Sequence, residues 1–266
     1  MAGNERQKTG RQFEVPLSGK RYIGRTDSHI DWHVYFFGEY DPLGTRFLRH
    51  ISEQIDDCVF LDIGANTGTH TLAISDHCES IHCFEPYPAA LTSLKRHLEM
   101  NEIENAFVHP FGLSVSDGLR GFCENKTGNL GAGTFELNNE TADMQLPTKR
   151  GDDVFEQLEL TKSDVVKVDV EGHEFDVLRG MSKHLWGSRP IVLWEFNPQA
   201  IGVQKKSEIE ALFPDEYVFF RLGFKDRWSR SRPKLQTISS LERGNLVSAP
   251  KTKLSLIENL IEDLAQ

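Results

Sequence analysis

The 266-residue sequence is short of cysteine, of positive charge and of long apolar runs. Its four cysteines, Cys58, Cys78, Cys83 and Cys123, form no Cys-x-x-Cys pair and no zinc spacing, so the sequence predicts reduced thiols rather than a disulfide framework or a structural metal. Thirty basic residues against forty acidic ones leave a net charge of -10, which repels a phosphate backbone and excludes nucleic acid as the expected partner. No run approaches the roughly 20 apolar residues of a membrane span, and the polar first ten residues lack the apolar core of a signal peptide. The expectation is a cytoplasmic chain, on which the sequons at Asn125 and Asn139 carry no weight. Internal repeats and low-complexity tracts are absent as well.

What is present is a βα alternation around one stretch, Cys58-Val-Phe-Leu-Asp-Ile-Gly-Ala-Asn-Thr-Gly-Thr-His-Thr71. Val59 to Ile63 reads as a buried strand, Gly64 to Gly68 as a tight turn, and a helix opens at Thr69 or His70. Gly64 and Gly68 leave no Cβ in a ligand's way. The spacing is not the Gly-x-Gly-x-x-Gly that cradles a pyrophosphate. Further strands are predicted at 80–84, 106–113, 164–169, 191–194 and 217–222, with a last short one at 245–248. Helices between them carry inner stripes such as Leu91, Leu94 and Leu98. Short connections in this order predict a doubly wound, mostly parallel α/β sheet.

Three segments stand outside the alternation. Residues 1–40 form an extension, polar to about residue 20 and then aromatic (Trp32, Tyr35, Phe36, Phe37), which either packs on the domain or serves as a substrate lid. Within the main domain at 41–250, an insertion at about 113–151 begins with a hairpin, Leu113–Ser114 against Leu119–Glu124, closed by Asp117-Gly118; its long loop, centred on Asn129 to Thr134, is expected to cover an acceptor. At 251–266, Leu254, Ile257, Leu260, Ile261 and Leu264 predict an amphipathic helix that docks on the domain or on a second copy of the chain.

In an open α/β sheet, ligands bind beyond the carboxyl ends of the strands. Here that edge carries Asp62, Glu85, Asp169, Glu171 and Glu195. Glu85 ends the second strand, where a carboxylate can accept from both ribose hydroxyls. A nicotinamide cofactor also uses such a group, but its pyrophosphate would lie beside Asp62. The sulfonium, ammonium and ribose of S-adenosylmethionine suit an acidic edge better.

Asp62-Ile-Gly-Ala-Asn-Thr-Gly68, Phe84-Glu-Pro86, Leu113-Ser-Val-Ser-Asp-Gly118 and Val168-Asp-Val-Glu-Gly-His-Glu174 with Val177-Leu-Arg-Gly180 resemble the FkbM family of S-adenosylmethionine-dependent methyltransferases. The resemblance covers roughly residues 59–197. It implies the seven-stranded, Rossmann-like methyltransferase sheet with its last strand antiparallel, and methylation of a hydroxyl on a small molecule, natural product or sugar. It places Asp62, Gly64, Asn66, Gly68 and Thr69 at the methionine end of the cofactor, and Glu85 with Pro86 at the ribose. Methyl transfer to a hydroxyl needs positioning and the removal of one proton. The candidates are Asp169, Glu171, His173 and Glu195. Each also has a purely structural reading: Asp169 as a cap, Glu171 and His173 as residues of a helix start. Asp169, Glu195 and Asn197 offer oxygen ligands to a divalent cation as well. The rival functions are an NAD-type oxidoreductase and a cofactor-binding scaffold without catalysis.

Overall fold

The computed structural model describes residues 10–123, 134–136, 142–198, 206–224 and 233–261. Its frame is an eight-stranded sheet in the order β13-β12-β14-β11-β10-β3-β4-β5. These strands are β3 (Val59–Ile63), β4 (Ser80–Phe84), β5 (Ala106–His109), β10 (Val165–Val168), β11 (Ile191–Phe196), β12 (Tyr217–Phe224), β13 (Pro233–Thr237) and β14 (Gly244–Pro250). From β5 to β11 all neighbours are parallel, whereas β14 runs antiparallel between β11 and β12. The expected seven strands with an antiparallel last one are therefore present. Edge strand β13 is an eighth, beyond the strands the sequence predicts.

Both faces of this sheet are covered, so the strands are apolar on alternate residues in both directions. Phe60, Val165, Ile191 and Leu193 point into one core, with α2 (Pro42–Ser52), α3 (Thr69–Ile74) and α4 (Pro88–Met100) on that side. Leu61, Ile63, Val166, Val168, Val192 and Trp194 point into the other, beneath α5 (Gly151–Gln157), α6 (Glu174–Gly180), α7 (Ser182–Ser188) and α8 (Lys206–Glu210). The single helix expected over Phe175 to Leu185 is thus two, joined at Met181.

On the first face two charges replace apolar residues. Asp62 and Lys167 are register partners in β3 and β10, and their side chains meet there at 3.3 Å, both almost fully buried. Lys167 Nζ also donates to Gly64 O (3.0 Å), and Thr71 Oγ1 donates to Asp62 (2.7 Å). Burial disfavours the ammonium, but the carboxylates of Asp62 and Asp169 hold its pKa above the usual lysine range.

Three expectations are corrected. The polar part of the N-terminal extension, where no element is expected before residue 20, is structured within the described residues: β1 (Gln12–Leu17) and β2 (Lys20–Arg25) form an antiparallel hairpin, followed by α1 (His29–Phe37). Tyr22 of this hairpin donates to Asp31 (2.5 Å) and meets Thr67 Oγ1 at 3.0 Å, and His97 bridges Thr67 O (2.7 Å) to the Ile23 backbone, so the extension is bonded to the glycine turn. In the insertion, β6 (Gly112–Ser114) and β7 (Gly118–Cys123) are not paired with each other. β9 (Met144–Arg150) lies between them, parallel to β6 and antiparallel to β7, and β8 (Thr134–Glu136) completes the small sheet β6-β9-β7-β8. The reason is long-range: β9 buries Leu146 and Thr148 on alternate residues, and Asp117 accepts from Arg150 N (2.8 Å) instead of merely closing a turn. This sheet docks where Gly180 of α6 comes so close to Ser114 O that a Cβ would lie 1.9 Å from it. The rest of the 129–134 loop lies outside the described residues.

At the C-terminus, two 3-10 turns (Lys251–Leu256 and Glu258–Leu260) stand where one amphipathic helix is expected. Ile257, Leu260 and Ile261 are buried in the chain's own core, and Ile261 bridges to Leu235 of β13. Among the described residues no helix is long and apolar enough to cross a membrane.

Removing one partner of the buried pair should leave the other charge unmatched. Lys167→Ala is expected to cost about 3–5 kcal/mol in urea unfolding, and Asp62→Asn with Lys167→Met considerably less. A loss below about 1 kcal/mol for the alanine variant would show that the pair is not structurally important.

Candidate active site

The turn after β3 is built by backbone needs. Gly64 and Gly68 have φ of +78° and +86°, and a Cβ on Gly64 would lie 1.9 Å from Asp169 O. Only glycine permits that approach of the β3 and β10 ends. Asn66, at φ 51°, is one of the residue types that tolerate the left-handed region, and its Oδ1 accepts from Thr67 N (2.8 Å). Gly64 and Ala65 donate to Phe84 O at 3.0 and 3.2 Å, which fixes the turn to the end of β4.

Glu85 lies under this turn. Its Oε2 accepts from Asn66 N and its Oε1 from Tyr87 N, each at 2.8 Å. Pro86 has no N–H, so the next donor along the chain is that of Tyr87. Burial raises the Glu85 pKa to about 7 despite these bonds. Asp62, by contrast, is committed to Lys167 and Thr71; it shapes the turn from beneath.

Two cavities meet at the carboxyl edge. A small one, about 30 Å³, lies along Gly64, Ala65, Asn66, Thr69 and His70. A larger one, about 310 Å³, is bounded by His33, Tyr40, Asp41, Leu193, Trp194, Glu195 and Asn245. Tyr40, Lys167, Asp169 and Glu171 line both. Of the proton-handling candidates, Asp169, Glu171 and Glu195 thus share the larger cavity. His173 lines neither: its Nε2 is 3.0 Å from Ser114 Oγ and its Nδ1 3.6 Å from Asp176, which turns it towards the small sheet. Glu85 lines neither of the two. Among the described residues no group of three or more His, Cys, Asp or Glu side chains is placed to hold a metal ion.

The edge is crowded with like charge. Burial comes first and the carboxylates of Asp169, Glu195 and Glu174 second in raising Glu171 to about 7. Burial and then Asp169 raise Glu195 too, against Arg243. Tyr40 is pushed up to about 12 by burial and by Asp169, Glu171 and Asp41. Glu171 itself sits at φ 52°, and the turn that presents it is held by Glu174, whose Oε1 accepts from Val170 N (3.3 Å) and Gly172 N (3.0 Å).

Sequence reasoning missed three residues here. Lys167 was detectable as the one charge in Val-Val-Lys-Val. Glu174 was detectable only within its motif. The third is His70, whose side chain is 6% exposed and whose Nε2 lies 3.4 Å from Asp41 Oδ2. Its signal is a pairing over 29 positions that no local pattern reveals.

The family described as "Methyltransferase FkbM domain" matches residues 62–225. The chain belongs to this FkbM methyltransferase family. It is 36% identical over 138 residues to the hexuronic acid methyltransferase AglP of Haloferax volcanii, covering 51% of this chain and 54% of AglP. It is 29% identical over 152 residues to methyltransferase 1 of Beauveria bassiana, covering 49% of this chain and 61% of that protein. The match therefore spans just over half the length of the first relative and under two thirds of the second. A structure of a SAM-dependent methyltransferase from Agrobacterium tumefaciens aligns with a TM-score of 0.50 at 9% identity, over 92% of this chain and 72% of that one, a likeness of fold. The sheet is that of the class I methyltransferases.

Glu85, Glu171 and Glu174 each titrate near 7, above the ordinary glutamate value of 4.5. Between those values the folded chain binds more protons than the unfolded one, so its stability should fall as pH rises from 4.5 to 7. Melting curves across that range should record this fall, and Glu171→Gln should flatten part of it and raise the melting temperature at neutral pH. A variant with an unchanged pH profile would show that Glu171 carries no charge penalty.

Proposed function

We propose that this chain is an S-adenosylmethionine-dependent O-methyltransferase acting on a hydroxyl of a small molecule, natural product or sugar. The observation that carries the reading is Glu85, a buried carboxylate beneath a glycine turn at the end of β4, the turn itself lining a cavity with Asp169 and Glu171. Family membership supports methyl transfer, and the match to a hexuronic acid methyltransferase supports a sugar-like acceptor.

The residues fit this cofactor. Each Glu85 oxygen accepts one backbone N–H and retains a lone pair for a ribose hydroxyl. Gly64, Ala65, Asn66 and Thr69 line one strip of the small cavity, and Gly68, whose absent Cβ makes room for Leu94, holds the turn in place behind it. Asp169 and Glu171 add negative charge that suits a sulfonium or an ammonium and opposes a diphosphate. When bound, the cofactor supplies an electrophilic methyl carbon on a sulfonium.

The chain's own work is binding and exclusion. Asp169, Glu171 and Glu195 accept hydrogen bonds from acceptor hydroxyls in the larger cavity. Tyr40 and the Leu193–Trp194 segment of β11 border the same cavity. His33 and Tyr40 bring the N-terminal extension to the acceptor, the role expected of a lid. Such walls favour neutral hydroxyls over a carboxylate-bearing sugar.

Calorimetry with S-adenosylhomocysteine and with NAD tests the cofactor. S-adenosylhomocysteine should bind, and Glu85→Ala should weaken it tenfold or more, about 1.4 kcal/mol. Binding of NAD alone would overturn the reading. Transfer of labelled methyl from S-adenosylmethionine to a panel of neutral glycosides, polyols and uronic acids tests turnover; cofactor binding with no transfer to any of them would favour a non-catalytic scaffold.

A further inference from the structure

His70 occupies the second position of α3, directly after the glycine turn, and lines the small cavity together with Asn66, Thr69, Asp169 and Glu171. Its Nε2 is buried without a close hydrogen bond and faces Asp41 Oδ2 at 3.4 Å. Asp41 is the N-cap of α2, held by Gly44 N at 3.1 Å, and lines the larger cavity. Burial opposes its charge, but His70, the Gly44 N–H and Lys167 together keep the Asp41 carboxyl below the usual carboxylate range. The pair therefore joins the two cavities: a carboxylate fixed on one helix start, an imidazole on another. Nε2 points at the carboxylate, which leaves Nδ1 as the ring nitrogen not committed to Asp41, on a residue that lines the small cavity.

We propose that His70, oriented by Asp41, is the base that takes the proton of the acceptor hydroxyl. The inference rests on the methyl-transfer reading and goes beyond it by naming the base. With the imidazole neutral and its proton on Nε2 towards Asp41, the Nδ1 lone pair is the available acceptor. As the acceptor oxygen forms its new bond to the methyl carbon, the carbon–sulfur bonding pair remains on sulfur and the hydroxyl proton passes to Nδ1. The imidazolium so formed lies beside the Asp41 carboxylate, which favours it. The other groups around His70 are Tyr40 at the α2 start, Lys167 of β10, and Asp169 and Glu171 beyond β10. Lys167 is engaged by Asp62, Gly64 O and Asp169, so its charge is matched locally, while Asp169 and Glu171 add to the field that favours the imidazolium. The three carboxylates of the larger cavity then position hydroxyls, a role that does not require them to carry away the proton.

The test combines nitrogen NMR of the imidazole, calorimetry and kinetics on the full chain, with melting curves to confirm that each variant folds. In the wild type, nitrogen shifts should show the neutral His70 ring carrying its proton on Nε2, and Asp41→Asn should shift the tautomer balance towards Nδ1–H. A wild-type ring protonated on Nδ1, or a tautomer balance unaffected by Asp41→Asn, would overturn the proposal whether or not an acceptor is known. With an acceptor from the labelled-methyl panel, His70→Gln should lower kcat about 100-fold, well beyond any change in S-adenosylhomocysteine affinity. Asp41→Asn should lower kcat in the same direction with a smaller loss. Full kcat in His70→Gln, or a loss of S-adenosylhomocysteine affinity with kcat retained, would assign the pair to structure or to cofactor grip and refute the base. Failure of the wild type to bind S-adenosylhomocysteine would instead count against the cofactor reading, leaving the NMR results to judge the dyad.

Discussion

The site depends on one buried ion pair. Lys167 and Asp62 stand opposite each other on adjacent strands, inside a core that otherwise holds Phe60, Val165 and Leu193. A charge in such a place is tolerated only when fully satisfied, and here each member has further partners: Gly64 O and Asp169 for the ammonium, Thr71 for the carboxylate. The pair thereby ties the ends of β3 and β10 to each other and to the first turn of α3. The close approach of Gly64 to Asp169 O is the backbone side of the same junction. Asp62, Asn66, Thr69, Asp169 and Glu171 hang from these two ends, and Glu85 and Glu195 from the neighbouring ends of β4 and β11.

Around that junction the charge is uneven. The buried cation is neutralised beneath the turn, while Asp169, Glu171 and Glu195 face the cavity with little positive charge among them, Arg243 being the counterweight at Glu195. Raised carboxyl pKa values express that imbalance. An edge of this kind is matched to cationic or hydroxyl-rich ligands and mismatched to phosphates, in line with the family to which the chain belongs.

Much of the frame was legible in the sequence because the parallel strands are buried on both faces and so read as short apolar runs punctuated by glycine, proline and acidic residues. Asp62 and Glu85 lie at the carboxyl ends of β3 and β4, where the alternation predicts them. What escaped were features set by distant pairing. β9 alternates correctly, with Leu146 and Thr148 inward, but its partners β6 and β7 lie 30 or so positions earlier, and a tight Asp117-Gly118 turn suggested that they pair with each other. The N-terminal hairpin was hidden by polar residues on its outer face. In the C-terminal segment, Leu254, Ile257 and Leu260 recur every three residues, the period of a 3-10 helix, which a 3.6-residue reading accepts as helical. His70 was overlooked because its partner comes from another element, and His173 was overvalued because its motif lies beside the cavity while its ring turns away.

The bond between Thr67 and Tyr22, with His97 on the other side, makes the glycine turn part of a larger body. The turn from Gly64 to Gly68 is bonded in this way to the hairpin of β1 and β2, and through Asp31 also to α1. His33 at the middle of that helix and Tyr40 just beyond it border the acceptor cavity. The turn and the far wall of the larger cavity therefore belong to one hydrogen-bonded body, so that the spacing between them is set by the N-terminal hairpin as well as by the sheet.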